Sequence, residues 1–129
     1  MPGKHLYEYA VIRIVPRMDR EEFQNIGVIV FSKQSRFLDC RYIIWESRLN
    51  AFGEGRVDVG ELTASLEALK RICAGAKGSG TIGCLDAASR FRWLTATRST
   101  IIQTSKVHPG FCDDLPAELD KLFEDLVML

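Results

Sequence analysis

The chain has no C-x-x-C pair, no complete P-loop, no apolar run of membrane length and no excess of either charge. Each absence removes a class of protein. Cys40, Cys73, Cys84 and Cys112 are spread too widely for a paired zinc framework or a dense disulfide scaffold, and are expected to be free thiols. The H-x-x-x-C spacing of His108 and Cys112, even joined by Cys84 or Asp113, falls short of a metal site, so neither metal nor cofactor is expected. Seventeen basic residues balance seventeen acidic ones, which excludes a chain drawn as a whole to polyanions; any nucleic-acid binding would be local. The start, MPGKHLYEY, has no apolar stretch like that of a signal peptide, and no segment reaches the length of about 18 apolar residues that a membrane span needs. The expected setting is the cytoplasm, away from membranes.

What is present fits a single domain. With 129 residues, 47% of them hydrophobic and 26% charged, the chain is long enough to close one core without covalent staples. Leu6 to Val15 is apolar at both alternating sets of positions and ends at Pro16, the pattern of a strand buried on both faces at the sheet centre. Asp19 and Glu22 form a capping pair for a short helical turn, and Asn25 leads into a second strand, IGVIVF. Ser32 to Ser35 make the hairpin turn, and RFLDCRYIIW returns antiparallel.

The long helix is announced at both ends. Asp58 and Glu61 pair at its start, Val59, Leu62, Leu66, Leu69 and Cys73 recur at three- and four-residue spacing, and Gly75 stops it. The segment AKGSGTIG that follows lacks the lysine and Ser/Thr ending of a phosphate loop and reads as a connector. Asp86 caps a short helix through Trp93, STIIQTS is a strand, and Leu119, Leu122, Phe123 and Leu126 mark a C-terminal amphipathic helix. The resulting expectation is an α+β domain over residues 1–129: a mainly antiparallel sheet of about four strands, packed with a long central helix and a C-terminal helix.

Between the last two helices lies RFRWLTATRSTIIQTSKVHPGFCDD, residues 90–114, with three arginines, a lysine, a histidine and six Ser/Thr hydroxyls before its first acidic residue. Residues 113–125, in contrast, carry six acidic residues against Lys121. The plain account is that the basic segment pairs with the acidic helix or faces water. The sharper one is anion recognition over residues 90–108, with Arg92, Arg98, Ser99, Thr100, Gln103 and Ser105 as ligands: an arginine fork holds two oxygens and the Ser-Thr pair serves the rest.

That segment is similar to the signature block of the bacterial family known as domain of unknown function 3037, and YAVIRIVPRMDREEFQNIGVIVF resembles its N-terminal block. The ordered strings EEF-x-N-x-GV, RF-x-WL, RST-x-IQ-x-S and VH-x-G, with LFEDLV near the end, carry the resemblance along nearly the whole chain. Thr97 departs from the pattern, where proline would stiffen the loop. The resemblance implies a small bacterial protein of unassigned activity, sometimes encoded beside HipA-type kinases, and so a kinase of that type as a possible partner.

Single residues carry their own expectations. Phe91 and Trp93, beside Leu94, read as core. His108 precedes Pro109 and Gly110, which read as a turn; a structural, hydrogen-bonded imidazole is expected there before an acid-base one. Arg13 shares a strand face with Tyr7, Tyr9 and Val11, so it is expected either to find a buried carboxylate, with Glu22 and Asp39 the first candidates, or to line a polar cleft. Two functions follow. The first is a non-enzymatic binding or protein-interaction module that recognises an anionic group on a protein, nucleotide or nucleic acid. The alternative is a small phosphoryl-transfer or hydrolytic enzyme with His108 as acid/base, Arg98 and Arg92 as clamps and Asp113 or Asp114 as a second carboxylate.

Overall fold

The computed structural model describes residues 4–16, 22–53, 57–75, 80–96 and 101–128. Strand β1 (His5–Ile14) forms a hairpin with β2 (Gln24–Ser32), and β2 pairs in turn with β3 (Phe37–Tyr42), all antiparallel. Next come α1 (Glu46–Gly53), α2 (Val59–Ala74), the single turn α3 (Gly80–Gly83) and α4 (Ala87–Leu94). The chain then returns to the sheet as β4 (Ile102–Thr104) and β5 (His108–Cys112) and ends in α5 (Leu115–Phe123), continued by a π-helical turn, Glu124–Met128. The sheet therefore has five strands, one more than the hydrophobic pattern announced. β4 and β5 share the free side of β1: Ile12, Arg13 and Ile14 face Thr104, Gln103 and Ile102, while His5 to Tyr9 face Cys112 to His108.

Ser105 joins these two short strands. Its backbone N–H donates to the Val11 carbonyl at 2.8 Å, and its hydroxyl oxygen accepts the Val11 N–H at 2.8 Å while donating to the Lys106 carbonyl. A side chain thus replaces the ladder bond lost where the strand breaks, so the Val11 N–H is not left unmet.

Helices on both faces explain why the middles of β1 and β2, residues 10–12 and 26–31, are apolar on both sides. On one face Ile12, Ile14, Ile29 and Phe31 meet Leu62, Leu66 and Cys73 of α2 and Phe91 and Leu94 of α4, with the Phe31 and Phe91 rings stacked 5.0 Å apart. On the other, Tyr7, Val28 and Val30 meet Leu115, Leu119 and Phe123 of α5. β1, held on both edges and both faces, is the centre of the molecule.

The helix ends follow their sequence signals. Asp58 accepts the Glu61 N–H at 3.1 Å, and Gly75 at φ 64° takes the left-handed conformation that closes α2. Asp86 accepts the Ser89 N–H at 2.7 Å and Asp114 the Ala117 N–H at 3.0 Å. Other expectations change. The hairpin turn is Lys33–Arg36, one residue later than expected, with Arg36 at φ 53°. Pro109 and Gly110 are not a turn but part of β5, which His108 begins. The α1 helix had no sequence reading at all. The Asp19 cap and residues 76–79 of the glycine-rich connector lie outside the described residues.

Candidate functional site

The basic segment divides among three structural fates. Arg90 donates through Nη1 to the carbonyls of Ile72 and Cys73, both at 2.7 Å, and through Nε to Leu85 at 3.0 Å, so it caps the C-terminal end of α2. Arg92 grips Glu8 with both fork nitrogens, each at 3.0 Å, and this hydrogen bonding raises its already high pKa against the opposing effect of burial. Ser105 is buried in the sheet connection described above. Arg98, Ser99 and Thr100 lie outside the described residues, as does Thr97. Gln103 stands on β4 opposite Arg13, and Lys106 is exposed.

His108 is exposed, on β5 opposite Tyr9, with the two ring centroids 5.2 Å apart. Directly paired residues share a face, and Glu8, next to Tyr9 on the same strand, points to the other one. Arg92, which binds Glu8, is thus on the opposite side of the sheet from His108. Asp113 is exposed just past β5, and Asp114 is occupied as the cap of α5. Among the described residues no three His, Cys, Asp or Glu side chains gather as metal ligands, and the four cysteines are unbonded. Cys73 hydrogen-bonds with Cys40, and this contact together with burial pushes its thiol well above the ordinary range.

Of the carboxylates expected for Arg13, Asp39 is not its partner. Asp39 is engaged elsewhere, accepting Lys70 Nζ at 2.7 Å and the backbone N–H of Cys40 at 2.8 Å. The Arg13 guanidinium lies instead over the Phe23 ring, 4.0 Å from its centroid, and burial lowers its pKa. Its Nε is buried without a hydrogen-bond partner, as is Oδ1 of Asn25, the residue opposite it on β2.

A cavity of about 330 Å³ opens between α2, α4 and β4, walled by Leu69 and Ile72, by Trp93 and Leu94, and by Ile102. Trp93 is 38% exposed, correcting its reading as core, while Phe91 is fully buried. Helical spacing accounts for the difference: Phe91 and Leu94, three apart, share the inward stripe, and Trp93 falls off it. The cavity wall is continued by Ala96 and Ile101, the residues that flank 97–100. The Val15 N–H donates to the Ile101 carbonyl at 2.7 Å, fixing the point where that segment enters β4. A second hollow, about 500 Å³, lies near Leu6, Phe31 and Pro109, with no tryptophan among its described lining residues.

The chain is an α+β protein with a five-stranded antiparallel sheet, a long helix on one face and the C-terminal helix on the other. It belongs to the family of proteins of unknown function DUF3037, whose family model matches residues 9–127. No curated protein and no solved structure matches it. Among the described residues no helix is long and apolar enough to cross a membrane.

Proposed function

We propose that the protein is a non-enzymatic binding module that takes an apolar side chain of a partner protein into the Trp93 cavity and an adjacent anionic group onto the Arg98-Ser99-Thr100 string. The observation that carries this reading is a half-exposed tryptophan beside an apolar cavity whose wall includes both residues flanking 97–100. Tryptophan in a pocket concentrates binding energy, and the arginine fork with two hydroxyls supplies donors for carboxylate or phosphate. Arg90 and Arg92, spent on Ile72, Cys73 and Glu8, leave Arg98 as the arginine of the segment assigned to the ligand. The hydrolytic alternative, built on His108 and Arg98, is less well supported, because Arg92, its second clamp, faces the opposite side of the sheet from His108.

The test reads Trp93 fluorescence in a Trp45→Phe background while short peptides are titrated, each with a leucine or phenylalanine next to aspartate or phosphoserine. A HipA-type kinase, the partner that the family resemblance implies, is titrated in parallel. Binding should weaken with added salt, and Trp93→Ala, which removes the fluorophore and is therefore followed by calorimetry, should abolish it. Arg98→Lys should weaken it at nearly unchanged melting temperature. A destabilised Arg98→Lys protein with unaltered binding overturns the reading.

A further inference from the structure

The opposite face of the sheet carries a second arrangement, which shares with the Trp93 cavity the edge-strand residue Gln103. There α5 packs over β2 and β3, and the half formed by β1, β4 and β5 presents Tyr9, Arg13, Gln103 and His108 on one side. At one end the exposed His108 ring lies against Tyr9, 5.2 Å between centroids and tilted by 35°. At the other, Phe23 is 47% exposed and has the Arg13 guanidinium over its ring. Tyr9 and Arg13, the β1 residues that contact the two aromatic stations, are four residues apart, about 13 Å along the strand. Between them Asn25, Arg13 and Gln103 form a row across three strands, with Arg13 Nε and Asn25 Oδ1 lacking hydrogen-bond partners. The carboxylate of Glu118, on the same face, is already engaged by the Tyr7 hydroxyl at 2.5 Å.

We propose that this half-sheet binds single-stranded nucleic acid, with one base stacked on the His108–Tyr9 pair, another on Phe23, and the connecting phosphate at Arg13. Aromatic rings accept the π-face of any base, and a guanidinium beside them holds the backbone oxygens, the combination that single strands require. Two aromatic stations on the same side of the sheet suit a polymer that repeats base and phosphate better than a free nucleotide. A duplex, whose base faces are covered, fits only through its backbone.

Anisotropy of a fluorescein-labelled oligothymidine and of a labelled oligouridine, at low salt, tests the proposal. The wild-type protein should bind at least one of them, more weakly as salt rises. His108→Ala and Phe23→Ala, both at exposed positions, should each reduce affinity by at least about fivefold, and His108→Phe should restore it by returning a ring. Trp93→Ala should leave oligonucleotide binding intact, which separates this site from the cavity. No binding by the wild-type protein, unchanged affinity in His108→Ala and Phe23→Ala, or equal affinity for a duplex of the same sequence would each overturn the proposal.

Discussion

The Tyr7 ring fills the space in which a side chain at Gly110 would begin. A Cβ at residue 110 would lie 2.6 Å from both Cζ and Oη of Tyr7, its partner across the β1–β5 ladder. The same hydroxyl donates to Glu118 Oε2, and burial, ahead of that hydrogen bond and the nearby charge, raises its pKa far above the ordinary tyrosine range. Gly110→Ala must displace the ring and so disturb the Tyr7–Glu118 bond that ties β1 to α5. A loss of about 1–3 kcal/mol is expected in urea unfolding, the usual cost of overpacking. A silent substitution would mean that the ring moves aside freely.

Leu66, mid-way along α2, is completely buried between the helix and the sheet. Leu66→Ala should cost about 2–5 kcal/mol through lost transfer free energy and the cavity left behind. Chemical denaturation should register it as a lower midpoint at unchanged slope.

Arg90 and Arg92 are two residues apart and should respond oppositely to substitution by lysine. Arg90 meets three main-chain carbonyls, two of them at the end of α2, and an ammonium cannot reproduce that fork; Arg90→Lys should lose about 1–3 kcal/mol. Arg92 holds Glu8 at the surface, where its side chain is 58% exposed, and solvent screens the pair. Arg92→Lys should change stability by no more than about 1 kcal/mol. Thermal melts of the two variants side by side decide the matter.

Acid sensitivity should involve Asp86. Hydrogen bonding to the Ser89 side chain first, then to its backbone N–H, lowers the Asp86 pKa below the ordinary carboxylate value. A depressed folded-state pKa gives stability that is complete above the unfolded-state value and disappears as pH falls through the folded one. Asp86→Asn should therefore flatten the acid limb of a stability–pH curve below the ordinary carboxylate range. An acid limb identical to that of the wild-type protein would remove Asp86 from the account.

Much of the fold was legible because its signals are local. Pro16 closes the first strand, Asp58 and Gly75 bound the long helix, and Asp86 opens the short one, each acting through neighbouring backbone atoms. β5 was hidden, since HPG has turn chemistry and becomes strand only by pairing with β1, with glycine required by a tyrosine more than one hundred positions earlier. The α1 helix lacks a marked apolar stripe. The candidate sites were legible only in outline. Arg92 looked unpaired within its own segment, but its carboxylate is Glu8, 84 residues away. Ser105 read as a ligand hydroxyl, while the broken strand it repairs exists only in the folded sheet. Trp93, by contrast, could have been placed outside from its offset to Phe91 and Leu94.

The position of β1 also sets an order of events during synthesis. β2 emerges soon after β1 and can close one edge at once, whereas the other edge waits for β4 and β5, and the Val11 to Ser105 bond spans 94 residues. Until then a nascent chain presents an apolar strand with open hydrogen-bonding groups, the kind of template that seeds intermolecular pairing. Contacts so distant in sequence slow folding, because loop closure precedes the stabilising contacts. A ribosome stalled before residue 102 would hold a chain that cannot shield its own centre, and such chains should be chaperone clients or aggregate.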